Sequence, residues 1–99
     1  MIIVSGEFAF EPDQDDAVRA AMIDMMNETA KEDGCLHYRF YRDVEHPDRY
    51  HVYEEWESAS HLGAHAKSAH MGVFREALGK IGVVKRDVKM MEAGEAKSL

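Results

Sequence analysis

Hydrophobic residues recur at every second position over Met1 to Phe10, with Ile2, Val4, Phe8 and Phe10 on one side and Ser5 and Glu7 on the other. That is the period of a strand with one covered face. After Pro12 the spacing changes. Asp13, Asp15 and Asp16 precede Val18, Met22, Met25, Met26 and Thr29, which predicts an amphipathic helix with acids at its positive dipole end, running to near Gly34. Alternation returns from Cys35 to Val44 and from Arg49 to Glu57, separated by Glu45-His46-Pro47-Asp48, the pattern of a hairpin. Ser58 or Ser60 is placed to cap a second helix through Leu62, His65 and Ala66. An irregularity is expected near Ser68, after which apolar spacing resumes through Phe74, Ala77, Leu78 and Ile81. Gly82 ends that segment, Val83 to Met91 reads as a last strand, and residues 92–99 form a polar, partly disordered tail.

Strand, helix, strand, strand, helix, strand is an α+β order. Right-handed crossovers turn it into a ferredoxin-like βαββαβ sandwich, a four-stranded antiparallel sheet with its helices on one face. We read residues 1–99 as a single domain. On the first three strands the covered side is expected to hold Ile2, Val4, Phe8, Leu36, Tyr38, Phe40, Tyr50, Val52 and Trp56, with Glu54 among them. The other side would carry Ser5, Glu7, Cys35, His37, Arg39, Tyr41, His51, Tyr53 and Glu55, aromatic and oppositely charged groups able to pair across strands. A chain this short leaves much surface exposed, so two copies joined sheet to sheet are expected to form a homodimer.

Charge narrows the partners. With 12 basic and 19 acidic side chains the net charge is −7, and without a basic cluster a phosphate backbone would be repelled, so nucleic acid is excluded as a partner. The longest apolar runs are too short to cross a bilayer and no signal-like stretch leads the chain, so membrane association is not expected. One cysteine, Cys35, fits a reducing compartment. Together these describe a soluble cytoplasmic protein, and the seven methionines describe an adaptable interior.

The candidate chemistry lies between Tyr53 and Met71, where carboxylates, an indole and three imidazoles crowd a strand-to-helix junction. Imidazole titrates near neutrality and can exchange a proton with a bound organic molecule. His61 and His65 share a helical face with Glu57, but Leu62 stands where a zinc-protease helix carries Glu, so no metal site is expected. Glu54, on the covered side, needs a hydrogen-bond donor or a raised pKa. It either sets the tautomer of His65 or His70 or bonds a backbone amide. Phe8, Tyr38, Phe40, Tyr53, Trp56 and Phe74 form an aromatic set able to line an apolar pocket or to fill a core. No phosphate-cradling loop, nucleophile elbow or dinucleotide fingerprint occurs, so no cofactor is expected.

Glu32-Asp33-Gly34-Cys35-Leu36, Tyr53-Glu54-Glu55-Trp56-Glu57-Ser58, His61-Leu62-Gly63-Ala64-His65 and Ser68-Ala69-His70-Met71 together resemble the antibiotic biosynthesis monooxygenase family of dimeric α+β barrels. Glu55 to Met71 is especially similar to its small quinol monooxygenases. The resemblance implies a homodimer of ferredoxin-like protomers that oxygenates quinols or polycyclic phenols without flavin, haem or metal. His65 and His70 match the family's two histidines of the second helical segment, and Glu54 and Trp56 its strand motif. His65 and His70 then become the candidate catalytic pair, with Trp56, Glu54, Tyr38, Phe40, Phe74 and Met71 around a small aromatic substrate. Ala69 departs from the proline frequent in quinol-type relatives, and the haem-degrading branch is disfavoured because Ser5-Gly6-Glu7 offers no asparagine. The family also holds isomerases, so a small-hydrophobe binding protein or an isomerase on the same barrel is the alternative reading.

Overall fold

The computed structural model describes residues 1–99 and orders the elements as β1 (Ile2–Phe10), α1 (Asp15–Thr29), β2 (Cys35–Arg42), β3 (Arg49–Trp56), α2 (Ala59–Ala66), α3 (Ala69–Ile81) and β4 (Val83–Glu92). The sheet runs β2-β3-β1-β4 with every neighbour antiparallel, the ferredoxin-like plan that the periodicities predict. A 3-10 turn at Pro12–Gln14 leads into α1. No helix is long and apolar enough to cross a membrane.

Sidedness follows the alternation closely. Ile2, Val4, Phe8, Phe10, Tyr38, Phe40, Tyr50, Val52 and Trp56 are buried under the helices with Val18, Met22 and Met25 of α1 and Phe74 and Leu78 of α3. Glu54 is buried on the same side. The start of β2 differs from the expectation. Cys35 pairs with Trp56 while His37 pairs with Glu55, so Leu36 is an extra residue in the ladder, a β-bulge. One inserted residue reverses the facing of what precedes it: Cys35 packs against the core and Leu36 is exposed, the opposite of the sequence-based assignment.

α1 also ends earlier than expected, at Thr29, and Gly34 instead closes the loop at φ +76°. Cys35 N–H donates to Glu32 O at 3.3 Å, and Glu57 N–H to Gly34 O at 2.9 Å. This loop is thereby fastened to the end of β3. Residues 93–99 carry no regular element.

The second helical region breaks where Ser68 stands. Ser58 caps α2 by accepting from His61 N–H, and Ser68 caps α3 by accepting from Met71 N–H while donating to His65 O at 2.7 Å. α1 and α3 pack on each other and cover β2, β3 and β1, whereas β4 is exposed along almost its whole length. A cleft between α3 and β4 results.

A Cβ at Gly34 would run into the His61 ring and would sit at a φ that L side chains avoid. Gly34→Ala is expected to cost about 2 kcal/mol or more, a fall of roughly 10 °C in Tm for a chain of this size. A thermal melt followed by circular dichroism checks this.

Candidate functional site

Two hydrogen bonds to one oxygen organise the site. Glu32 Oε2 accepts from His65 Nδ1 at 2.6 Å and from His70 Nε2 at 2.9 Å. His65 lies in the last turn of α2 and His70 in the first turn of α3. On an unbroken helix, residues five apart point about 140° away from each other, so the break at Ser68 is what lets both imidazoles face the same carboxylate. The loop closed by Gly34 brings that carboxylate to them.

His65 is 1% exposed, with the Trp56 ring at 4.8 Å and the Tyr38 ring at 5.3 Å. Burial lowers its pKa against the opposing pull of the Glu32 hydrogen bond, which favours neutral imidazole at pH 7. Nδ1 faces a carboxylate and therefore holds the proton, leaving the lone pair on Nε2. Nε2 is buried and has no hydrogen-bond partner. An unsatisfied basic nitrogen of this kind is costly unless something binds it.

His65 lines a cavity of about 630 Å³, within the range of small-molecule sites. Its walls are apolar: Val4, Phe8, Tyr38, Phe40, Val52, Leu62, Met71, Phe74, Leu78 and Met90. Glu54 is the one carboxylate in the lining. Its Oε1 accepts from Trp56 Nε1 at 2.9 Å, and burial, partly offset by that bond and reinforced by the charge of Glu32, raises its pKa to about 7. Near neutrality Glu54 is thus poised between proton donor and acceptor. Tyr38 stays a neutral phenol because burial and the two glutamates push its pKa up. Burial likewise raises the pKa of Cys35, which keeps the thiol protonated and unreactive.

The structure brings together His65, Glu54, Tyr38, Phe40, Phe74, Met71 and Phe8 around the cavity, and seats Trp56 behind His65 rather than in the lining. His70 lies outside the lining, in a groove between α1 and α3. Tyr53 is on the far face of the sheet, donating to Glu55 at 2.7 Å. His61 is engaged by Ser58 Oγ at 2.7 Å and by Glu57. The acid that serves the histidines is Glu32, not Glu54, whose nearest donor is the indole two residues along its own strand. Arg75, Arg86 and Lys89 also line the cavity, cations that no motif or spacing in the sequence marks.

Glu32, His65 and His70 offer three ligand atoms within 4.8 Å of one another, a donor set that suits a divalent cation. At 2.6 and 2.9 Å the contacts are hydrogen-bond lengths in which each ring N–H is already satisfied. A cation would have to displace both protons.

Glu54 makes stability depend on pH in a definite direction. A folded pKa of about 7 against an ordinary 4.5 means that the native state binds more protons between these values, so stability is lost as pH rises through them. Glu54→Gln, which can still accept from Trp56, is expected to gain about 3 kcal/mol relative to the parent between pH 4 and pH 8. Urea unfolding across that range measures the difference.

A family model described as antibiotic biosynthesis monooxygenase matches residues 1–77. A search of curated proteins gives no match. Among solved structures, the chain resembles a Deinococcus radiodurans protein named as a candidate antibiotic biosynthesis monooxygenase, with TM-score 0.94, 24% identity, and 100% of this chain and 98% of that one covered. A Mycobacterium tuberculosis protein is similar at 26% identity, TM-score 0.88 and 98% coverage of both chains. A conserved protein of Methanosarcina mazei follows at 22% identity, TM-score 0.87, with 94% and 92% covered.

Proposed function

The chain belongs to the antibiotic biosynthesis monooxygenase family, and we propose that it oxygenates a quinol or polycyclic phenol with dioxygen, using His65 as the base. The observation that carries this reading is His65 itself, a lining residue of an apolar cavity whose Nδ1 is held by Glu32 and whose buried Nε2 has no hydrogen-bond partner. Family membership supports monooxygenase-type chemistry, and the geometry supports a substrate with an acidic hydroxyl and a flat apolar body.

Nε2 takes the phenolic proton, and Glu32 stabilises the imidazolium that forms. Arg75, a cavity-lining cation whose charge is felt at His65, favours the phenolate. The electron-rich anion passes one electron to dioxygen; recombination forms a C–O bond at the ring, giving a ring-bound peroxide. Loss of the ring hydrogen as a proton, with O–O cleavage, leaves a carbonyl and one water. The substrate supplies both pairs of electrons that reduce dioxygen, so no external reductant enters. Apolar walls keep the radical pair from water. His70 acts as a positioning residue, sharing the Glu32 oxygen without lining the cavity.

Purified protein is expected to consume oxygen with a dihydroxynaphthalene faster than the quinol autoxidises, without added cofactor. His65→Ala should lower that rate 100-fold or more, in the range of general-base removal, and Glu32→Gln by 10-fold or more through the wrong tautomer. Because burial lowers the pKa of His65, the rate should climb with pH through a midpoint below that of an ordinary imidazole, about pH 6.5. A His65→Ala rate equal to the parent's would refute the mechanism. Thermal stabilisation by the quinol without turnover would favour the binding-protein alternative.

The same proposal includes a homodimer through the sheet face opposite the helices. That face carries His37 stacked on Tyr41 and tilted at 60° to Tyr53, with Ser5 Oγ and His51 Nε2 2.7 Å apart. Beside it, β4 exposes Val84, Met90 and Met91 along an unpaired edge, surface that a small chain gains by covering. Sedimentation at micromolar concentration is expected to give twice the protomer mass; a folded monomer there would remove this part of the proposal.

A further inference from the structure

Arg86 has no carboxylate within 4.0 Å, although the chain carries seven more acidic than basic side chains. Its guanidinium instead lies over the Phe8 ring, 5.8 Å from the centroid, held by a cation–π contact above a buried residue of the cavity wall. The acids around it are directed elsewhere. Asp87 faces Lys89 at 3.7 Å, and Glu7 faces Arg49 and Lys85 at 3.8 and 3.6 Å. Arg75, the other cavity arginine, is tied to Ala66 O at 2.9 Å beside the last turn of α2.

Register separates Arg86 from His65. Val4 lies opposite Glu54 and Met90, and Phe8 lies opposite Tyr50 and Arg86. The Glu54 level, where Trp56, Tyr38 and His65 gather, is therefore about four residues along β1 from Arg86, roughly 13 Å. His65 and Arg75 stand at one end of the cavity, and Arg86, also without a counter-charge, stands alone at the other, while Lys89 of the lining is turned to Asp87.

Resting on the reading of the cavity as a hydroxyarene site, we propose that Arg86 recognises a carboxylate on the substrate, which is a fused-ring hydroxyarene with its hydroxyl and its carboxylate at opposite ends. A guanidinium pairs with a carboxylate through two parallel N–H donors, and two or three fused rings span the distance that remains once both side chains reach inward. Glu54, at the hydroxyl end, disfavours the reversed orientation, in which the carboxylate would meet another carboxyl group. Arg86 thus fixes which end of the arene reaches His65.

Three probes of one shape test this by titration calorimetry: 6-hydroxy-2-naphthoate, its neutral 6-hydroxy-2-naphthamide, and 2-naphthol. The parent protein is expected to bind the naphthoate at least 10-fold tighter than either neutral compound, with the advantage shrinking between 0.05 and 0.5 M salt. Arg86→Gln should bring the three affinities together, and Arg86→Lys should restore part of the preference. Equal binding of all three by the parent, or a preference that survives in Arg86→Gln, overturns the role of Arg86 and leaves the cavity reading standing. Failure of all three to bind overturns both. Circular dichroism confirms that each variant is folded.

Discussion

A single carboxylate oxygen, Glu32 Oε2, holds this site together by accepting from two histidines on two different helices. Hydrogen bonds to a charged acceptor contribute about 1.5–3 kcal/mol each, and orphaning a buried partner costs at least as much. The loop after α1, the end of α2 and the start of α3 are thus tied at one atom. The same bond dictates the chemistry. Once Nδ1 of His65 must donate to Glu32, the other ring nitrogen carries the lone pair, and the neighbouring Trp56 and Tyr38 rings leave it no protein partner. Tautomer, orientation and basicity follow from one structural contact.

Two glutamates with different surroundings divide the electrostatic work. Glu32 sits among imidazole donors, whereas Glu54 sits at the cavity wall with one indole donor and the charge of Glu32 nearby. Two adjacent carboxylates resist ionising together. Burial is the larger cause at Glu54, whose single indole donor offsets it only in part, and its pKa is pushed up to about 7. An apolar chamber with a carboxyl group near half-protonation and an unprotonated imidazole can both accept a proton and donate a hydrogen bond, at neighbouring points, to a bound hydroxyarene.

The periodic part of the sequence disclosed the fold, because strands and helices impose spacings of two and about 3.6 on every residue they contain. Ser68 as a break and Gly82 as a stop were legible for similar local reasons. What escaped was aperiodic. Simple alternation places Leu36 on the covered face, and one bulged residue turns it outward and Cys35 inward. Glu32 lies in a loop, where no spacing announces a side chain's direction; its only signal was its place in the Glu-Asp-Gly-Cys-Leu run. Alternation marks Glu54 as a buried acid in need of a donor, but its neighbour at i+2 on the same strand face provides one, so the histidines draw on another acid. Arg75 and Arg86 were hidden because being left without a counter-charge is a property of three-dimensional placement, not of composition.

β3 explains how one small sheet carries two kinds of surface. Glu54 and Trp56 face the helices, while Tyr53 and Glu55 face away and bond to each other. Alternation makes these assignments inseparable, since slipping the strand by one residue would exchange every member of the two sets. The register is fixed from both sides, by the antiparallel pairing of β1 and by the bulge in β2. The face that holds the cavity is consequently locked to the face that holds the His37, Tyr41 and Tyr53 cluster, though no side chain belongs to both. Any partner that stiffened the outer face would stiffen the base of the cavity through the backbone of β3. Association and chemistry would then be coupled without sharing a single residue.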